Sequence, residues 1–379
     1  MNTLKTVESH VDLEHFGWDG LLGHNDYYQS VQWLSYVELL DSPYWRYLVA
    51  GPSGGPARAG LTVHQINSTA SPFNRPDARL RLAVERLGGP VAAPFWGGLE
   101  EHLLPALALG GRTIGHSRVL LDAAEPEPVR RARLRELLAE AEELAVVRGL
   151  RSLSALYVDE HDRLLREELT AAGYLAFPNG AASHLRIDFE DFEGYLARFS
   201  PRRRRLVRRE HHHVRSQVEF TVGPLDEESA PTIAELGAAN SRRYGWDVST
   251  AAALLPHQLT LRAIPGVVET LTARDGAGRT LGALAFIQWR DEMYARQIGF
   301  DYERIGDLPL YFELGFYRLI EEALSRGVRL IDYSIEKNDT KLSRGCAELA
   351  KYGYLKCLDG EVHTLLGRAL DGLRRHGDE

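Results

Sequence analysis

The sequence predicts an α/β (α+β) protein with two mixed-sheet lobes, and three observations support this prediction. The chain of 379 residues exceeds the usual size of one domain, so two units of roughly 150 to 200 residues are expected. Segments typical of strands alternate with segments whose apolar residues recur at helical spacing. Each half also has a long helix that ends in Arg-Gly before a buried strand, at Arg148-Gly149 and at Arg326-Gly327. A duplicated unit therefore explains the length.

The composition is that of a globular protein with enough apolar material for a core. Hydrophobic residues make up 44% and charged residues 26% of the chain. It contains no apolar run of about 18 residues, and its amino terminus lacks the features of a signal peptide. Cys346 and Cys357 are too few for a disulfide framework and lack metal-ligand spacing. The sequence thus predicts a cytoplasmic protein with no membrane span and no bound metal.

The first lobe is expected to comprise residues 1–183. Its predicted elements are a short helix at 31–40, strands ending at 50 and spanning 59–66, helices at 77–87 and 127–148, a strand at 150–158 and a helix at 159–173. The long helix places Leu134, Leu137, Leu138 and Ala141 on one face, and Gly149 ends it.

The second lobe is expected to comprise residues 184–379. Ser200 followed by Pro201 predicts the start of a basic helix over 201–216, with serine as N-cap and proline in the first turn. The other predicted elements are strands at 182–189 and 218–223, a helix at 226–245, a hairpin around Asp275-Gly276, a helix at 308–327, a strand at 328–334, a helical segment at 340–350 and a strand at 352–358.

A mixed sheet with a hairpin, then a helix and a strand, is the order of the GNAT acyltransferase fold, here duplicated. In that fold a Gly-rich turn at the start of the central helix holds the pyrophosphate of acyl-CoA through backbone N–H groups. This chain instead has Gly306 followed by Asp307 and Pro309, which add a carboxylate and remove one N–H donor. The corresponding segment of the first half, 123–134, is no better suited to binding the pyrophosphate of acyl-CoA. Acyl-CoA is therefore a poor donor candidate, and another activated acyl group is expected.

Several segments, in order along nearly the whole chain, carry a family resemblance: SVQWLSYVELLDS, RRRRLVRRE, MYARQIGF, YFELGFYRLIEEALSRGV and NDTKLSRG. With them the chain resembles the bacterial Fem-like, GNAT-type family of peptidoglycan biosynthesis or recognition proteins. That family is related to the aminoacyl-tRNA-dependent transferases that form peptide bonds. The resemblance implies that the chain transfers an aminoacyl group from tRNA to an amine of a small-molecule or peptide-like acceptor, either a specialised metabolite or a cell-wall precursor. Aminoacyl-tRNA is then a co-substrate, and no other cofactor is expected.

This chemistry suits the residues present. An aminoacyl-tRNA already carries an activated ester, so the enzyme has to position an amine, stabilise an oxyanion and assist proton transfer. No covalent nucleophile is required, and the sequence has no persuasive Ser/His/Asp or Cys/His signature.

Two residues are the predicted catalytic groups. Lys341 matches the lysine of the family's Lys-x-x-Arg-Gly motif, where a fixed cation stabilises an oxyanion or contacts the terminal phosphate or ribose of tRNA. The structural alternative is a helix-start lysine that pairs with Asp339 or Glu336. Arg344 of the same motif is expected to support Lys341 and contribute to substrate binding.

Glu313 matches the family's Phe-Glu pair on a largely apolar helix face, where a buried carboxylate needs a partner. Arg296 is the predicted partner, and the pair either holds a substrate amine or is a purely structural ion pair. Tyr294 and Tyr333 are predicted to line the same cleft, although tyrosines on strands often simply pack.

Six arginines occupy the eight positions 202–209 of a chain whose formal net charge is -8, namely Arg202, Arg203, Arg204, Arg205, Arg208 and Arg209. Four of them lie in the first helical turn, where the helix dipole disfavours cations. The simplest alternative is a solvated basic face. A contiguous basic stripe also fits a phosphate backbone, and we predict that it binds tRNA. The sequence contains no helix-turn-helix pattern, so specific binding to DNA is not expected.

His211, His212 and His213 are consecutive and therefore lack the spacing of a helical metal site.

Two other functions remain open at this point. An acyl-CoA-dependent N-acyltransferase would use the basic helix for the phosphates of CoA. A noncatalytic binding protein would have retained the fold without the reaction.

Overall fold

The computed structural model describes residues 2–40, 44–88, 94–111, 115–335 and 338–377. The chain forms two compact units, one of Met1–Ala181 with Leu349–Glu379 and the other of Ala182–Glu348. Residues 349–379 therefore belong with the first unit, and the expected second lobe of 184–379 needs correction. The physical reason is that a strand at Ala347–Cys357 pairs antiparallel with one at Ser152–Asp159, from Lys351 opposite Asp159 to Cys357 opposite Ser152.

The strands, in chain order, are β1 Asn2–Val7, β2 Trp45–Pro52, β3 Ala59–Ile66, β4 Ala106–Leu109, β5 Leu120–Leu121, β6 Ser152–Asp159, β7 Leu175–Arg186, β8 Glu219–Pro224, β9 Val268–Arg274, β10 Thr280–Trp289, β11 Glu292–Phe300, β12 Leu330–Ile335 and β13 Ala347–Cys357. The α-helices are α1 His10–Leu13, α2 Val31–Val37, α3 Pro76–Arg86, α4 Pro94–Gly97, α5 Leu99–Leu103, α6 Glu127–Val147, α7 Arg163–Ala171, α8 Phe192–Ala197, α9 Pro201–Arg215, α10 Ala230–Arg243, α11 Thr250–Ala263, α12 Leu310–Phe312, α13 Arg318–Ser325, α14 Asn338–Leu342 and α15 Gly360–Gly377. Three short 3₁₀ turns lie at Glu14–Phe16, Trp18–Leu21 and Tyr27–Gln29, and a π-helical turn at Glu313–Tyr317 joins α12 to α13.

In the first unit the strand order is β1-β2-β3-β4-β6-β13, with β5 also on β3. Only β4 and β6 of this set pair in parallel, and the other pairs are antiparallel. The apolar face predicted for α6 is buried in the core of this unit, where Leu134, Leu137 and Leu138 are at most 2% exposed. The predicted amphipathic helix is thus confirmed.

In the second unit the order is β7-β12-β11-β10-β9-β8, with β7 contributing its residues from Ala182 onward. Here β11 and β12 form the parallel pair within an otherwise antiparallel sheet. Both units therefore contain a mixed sheet, as the predicted fold class requires.

The two long helices end in the same way. Gly149 and Gly327 have φ angles of 64° and 68°, which are left-handed and favour glycine. The N–H of the following residue then donates back to a helix carbonyl, from Leu150 to Ala145 at 3.0 Å and from Val328 to Ala323 at 2.9 Å. The repeated Arg-Gly signal thus marks an equivalent helix terminus in each unit.

Several elements differ from the sequence-based prediction, and among them β1, α5 and β4 lie where no element was predicted. The helix α11, which contains Pro256, and the last helix α15 were not predicted. Residues 347–350, expected to be helical, begin β13, which pairs with β6 from Lys351 onward. Among the described residues, no helix combines the length and apolarity needed to cross a membrane.

Candidate functional site

A pocket opens in the second unit where two parallel strands stop pairing. The strands β11 and β12 pair only from Glu292 opposite Leu330 to Tyr294 opposite Asp332. The next residues of both strands line a pocket of about 410 Å³, within the range of small-molecule sites. Strands that diverge in this way turn backbone N–H and C=O groups toward the gap, where a ligand can form hydrogen bonds with them.

A bulge in β11 shapes one side of this pocket. Ala285 lies opposite Gln297 while Phe286 lies opposite Ala295, so Arg296 is the extra residue. Arg296 lines the pocket, as do Tyr333 and Lys341. The structure thus brings together three of the residues singled out in the sequence.

The rest of the pocket wall is largely apolar and aromatic. Tyr311, Phe312 and Phe316 contribute rings from the central helix, and Asn240 and Tyr244 contribute from the end of α10. Among the described lining residues none is an aspartate or glutamate. The pocket therefore combines aromatic surface with two cations.

The ammonium group of Lys341 holds the end of β12. Its Nζ donates to the carbonyls of Tyr333, Ser334 and Ile335 at 2.8, 3.1 and 3.0 Å, and the side chain is buried. Ser334 has a left-handed φ of 57°, so these bonds stabilise an unfavourable backbone turn. Of the alternative ion-pair partners considered for Lys341, Glu336 lies outside the described residues.

Glu313 has a different partner from the one expected. Its carboxylate is fully buried in the π-helical turn, and Oε2 lies 2.9 Å from Nδ1 of His211 on α9. The expected pair with Arg296 is wrong, because Glu313 contacts α9 whereas Arg296 lines the pocket. Burial raises the pKa of Glu313, and the hydrogen bond and charge of His211 oppose that rise.

The two predicted tyrosines have different surroundings. Tyr333 lines the pocket, and its ring stacks on Phe316 with 4.8 Å between centroids. Its burial raises the pKa of the phenol. Tyr294 is buried, and its hydroxyl donates to Oε2 of Glu292 at 2.6 Å. The structure does not place Tyr294 among the residues that line the pocket.

Arg344 lies behind the pocket wall. Its Nε donates to the Tyr317 hydroxyl at 2.8 Å, and its Nη2 donates to the Glu210 carboxylate at 3.0 and 3.2 Å. The guanidinium also covers the ring of Phe312, 3.8 Å from its centroid. Since Phe312 lines the pocket, Arg344 braces the wall without being part of it.

The basic helix α9 starts where the sequence predicts. Oγ of Ser200 accepts from the N–H of Arg203 at 3.4 Å, Pro201 occupies the first turn, and Val207 and Val214 form the buried side. On the outer face, Arg202, Arg203, Arg205 and Arg209 share an open groove.

Arg208 stands apart from that groove, because it pairs with Glu193. Arg204 is partly buried on the same helix. The predicted arginine stripe is therefore divided between a shared groove and at least one surface ion pair.

Sequence reasoning missed the contacts on the inner face of α9. Glu210 accepts from Tyr317 and Arg344, and His211 contacts Glu313. One signal was present in the sequence: Glu210 is the single acidic residue within the arginine-rich segment 202–215. A lone carboxylate among so many cations indicates a specific tertiary partner. Within the described ranges, no group of three or more His, Cys, Asp or Glu side chains could hold a metal ion.

Comparison with known proteins gives a consistent result. The model of the FemAB-like family, described as peptidoglycan biosynthesis/recognition, matches residues 115–378. A search of curated protein sequences finds no match.

Among solved structures, FemX is similar with a TM-score of 0.62 and 13% identity, over 96% of this chain and 100% of that one. A tandem GNAT protein from the clavulanic acid biosynthesis pathway has a TM-score of 0.53 and 14% identity, over 94% and 98%. The C-terminal domain of a candidate lysylphosphatidylglycerol synthetase from Agrobacterium fabrum has a TM-score of 0.55 and 11% identity, over 94% and 96%. At such identities the likeness establishes the fold, which is a duplicated GNAT fold as the sequence predicts.

Proposed function

The chain belongs to the FemAB-like family of peptidoglycan biosynthesis/recognition proteins, and we propose that it is an aminoacyltransferase that uses aminoacyl-tRNA. The acceptor is an amine of a small or peptide-like molecule, such as a cell-wall precursor or a specialised metabolite. The product is an amide.

One observation carries this proposal: the basic helix is joined directly to the segment that forms the pocket. On its inner face, α9 contacts Glu313 and Tyr317 of the π-helical turn through His211 and Glu210. Gly315 of the same turn lines the pocket. A polyanion held on the outer arginines would thus lie on an element that is attached to the wall of the candidate active site.

The reaction needs little from the protein beyond position and charge. The acceptor amine attacks the ester carbonyl of the aminoacyl group, a C–N bond forms, and the ester C–O bond breaks. The proton lost by the amine passes to the departing ribose oxygen. Developing negative charge on the carbonyl oxygen is the feature that fixed cations and backbone N–H groups stabilise.

Two cations on the pocket wall suit this task. Arg296 is placed at the wall by the bulge in β11, and Lys341 lies across the gap at the end of β12. Because Nζ of Lys341 already donates to three carbonyls, we assign it the role of a fixed charge that also positions β12. Arg296 is then our candidate for contact with the oxyanion.

The test is turnover with a mixture of radiolabelled aminoacyl-tRNAs and candidate amine acceptors. We expect labelled amide product, and we expect RNase treatment of the charged tRNA before the assay to abolish it. Product that survives this treatment would contradict the proposal. The same assay with acyl-CoA in place of charged tRNA serves as the control for the alternative donor.

A further inference from the structure

The turn that follows α10 presents two large aromatic side chains to solvent beside the pocket. Tyr244 is 52% exposed and also lines the pocket, and Trp246, two residues later, is 46% exposed. Large aromatic side chains contribute strongly to binding when they are covered, so exposing two of them at one turn needs a reason.

The backbone of this turn is fixed. Gly245 has a left-handed φ of 84°, and its N–H donates to the carbonyl of Arg242 at 3.0 Å. The N–H of Trp246 donates to the carbonyl of Ser241 at 3.1 Å. These two bonds form the helix-capping pattern in which the residue after the glycine commonly packs on an apolar neighbour. Here the residue at the start of the pattern is a serine, and nearly half of Trp246 remains exposed.

The residues around the turn carry positive charge, and their contacts connect them to the pocket wall. Arg242 and Arg243 are exposed, and Asp247 is the one carboxylate in the run 242–247. The guanidinium of Arg243 lies 4.3 Å from the ring centroid of Tyr302. The Tyr302 hydroxyl donates to Oδ1 of Asn240 at 2.6 Å, and Asn240 lines the pocket.

We propose that Tyr244 and Trp246 form a stacking platform for the adenine of the acyl donor's adenosine. This inference rests on the proposed function. Aromatic rings accompanied by arginines are the usual means of holding unpaired nucleotides, because every base has a π face and every nucleotide carries a phosphate.

The position of Tyr244 favours tRNA over CoA as the source of that adenosine. In an aminoacyl-tRNA, the terminal adenosine carries the ester on its own ribose, so its base lies close to the aminoacyl group. In acyl-CoA, the pantetheine arm and a pyrophosphate separate the adenosine from the thioester. A ring that belongs to the pocket wall therefore matches the shorter separation found in tRNA.

The test uses deacylated tRNA whose terminal adenosine is replaced by the fluorescent base 2-aminopurine. We expect binding to the full-length protein to quench this fluorescence, and we expect Trp246→Ala and Tyr244→Ala to remove most of the quenching. Affinity should fall by about five- to tenfold for each variant, since one base stacked on one ring contributes on this scale. Trp246→Phe, which keeps a stacking ring, should retain most of both signals.

A second tRNA that lacks the terminal adenosine makes the test specific to that nucleotide. Wild type should bind it more weakly than intact tRNA, and the alanine variants should bind the two tRNAs almost equally. Leu255→Ala, a change at another exposed apolar residue of the same unit, should leave every value unchanged. Equal affinity of wild type for both tRNAs, or quenching that survives both alanine substitutions, would overturn the platform.

The arms of the experiment separate the possible failures. Absence of binding to any tRNA would contradict the proposed function itself. Binding of tRNA that is insensitive to Tyr244 and Trp246 would contradict only the platform. If Trp246→Ala weakened binding of CoA but not of tRNA, the assignment of the adenosine to tRNA would be wrong.

Discussion

Nδ1 of His211 lies 2.9 Å from Oε2 of Glu313, which joins the arginine helix to the π-helical turn beside the pocket. Nη1 of Arg215 lies 3.1 Å from Nε2 of the same imidazole. The same Nε2 lies 3.6 Å from Oε1 of Glu321, so the imidazole stands between two carboxylates. Phe192 stacks on the imidazole ring at 4.8 Å and holds its plane. The pair is thus oriented from several sides.

The buried carboxyl of Glu313 should make stability depend on pH. Its pKa in the folded protein is raised by burial above the ordinary value of 4.5, so folding favours the protonated form. We expect the free energy of unfolding of wild type, measured relative to that of Glu313→Gln, to be highest below pH 4.5 and to fall as the pH rises above it. Urea unfolding of both proteins at several pH values measures this difference.

Glu303→Gln is the matched control, since Glu303 is an exposed carboxylate of the same unit. The difference in free energy of unfolding between Glu303→Gln and wild type should stay nearly constant over the same pH range. A flat difference for Glu313→Gln as well would contradict a raised pKa.

Removal of the Lys341 ammonium should affect both stability and turnover. Lys341→Met leaves the carbonyls of Tyr333, Ser334 and Ile335 without this donor. Hydrogen bonds from a charged group contribute strongly, so we expect a loss of about 2 to 3 kcal/mol in the free energy of unfolding together with loss of transfer activity. Chemical denaturation and the transfer assay measure the two effects.

Lys5→Met, at an exposed lysine of the first unit, should change neither quantity appreciably. If Lys341→Met abolished turnover with no change in stability, Lys341 would act on the reaction alone and the bracing role would be wrong. Full activity of Lys341→Met would instead contradict any role in the reaction.

The shared groove on α9 should set the salt dependence of tRNA binding. Arg202→Gln combined with Arg205→Gln removes two charges from this groove. Because each phosphate contact releases a counterion, the slope of log affinity against log salt should become shallower by about 1 to 2. Binding isotherms at a series of potassium chloride concentrations measure the slope.

The comparison variant is Arg208→Gln, on the same helix but paired with Glu193. For each charge removed, Arg208→Gln should change the slope of log affinity against log salt by less than half as much as the double variant does. An equal or larger change would indicate that the groove is not the main phosphate contact.

Close packing of α10 against β11 leaves no room for a side chain at Gly299. A Cβ there would lie 2.3 Å from the carbonyl carbon of Leu236 and 2.6 Å from the amide nitrogen of Gly237. Since the obstacle is backbone, Gly299→Ala should lower the free energy of unfolding by about 3 kcal/mol and displace the helix that carries Asn240 and Tyr244 to the pocket. Denaturant unfolding and tRNA binding measure these effects.

Gly223→Ala is the appropriate comparison, because a Cβ at this strand residue meets no heavy atom within 4 Å. Its stability should stay close to that of wild type. Equal stability of the two alanine variants would show that the backbone of α10 can shift without cost.

Prediction from sequence worked best for elements specified by nearby residues. Ser200 and Pro201 mark the start of α9, and Gly149 marks the end of α6, because capping involves residues within one or two turns. It failed for α11, whose internal Pro256 interrupts the helical signal, and for the start of β13, a strand that pairs with the distant β6 from Lys351 onward. For Glu313, the sequence indicated that a partner was needed but not which one.

The duplicated α/β plan, the arginine-rich face of α9 and the family could all be predicted from the sequence, because they depend on local pattern and on motif order. Tertiary structure alone decided that Glu313 contacts His211, that Lys341 caps the end of β12 and that residues 349–379 return to the first unit. Each of these depends on strand register or on where one helix packs on another. Such relations arise between residues far apart in the chain, and no local pattern specifies them.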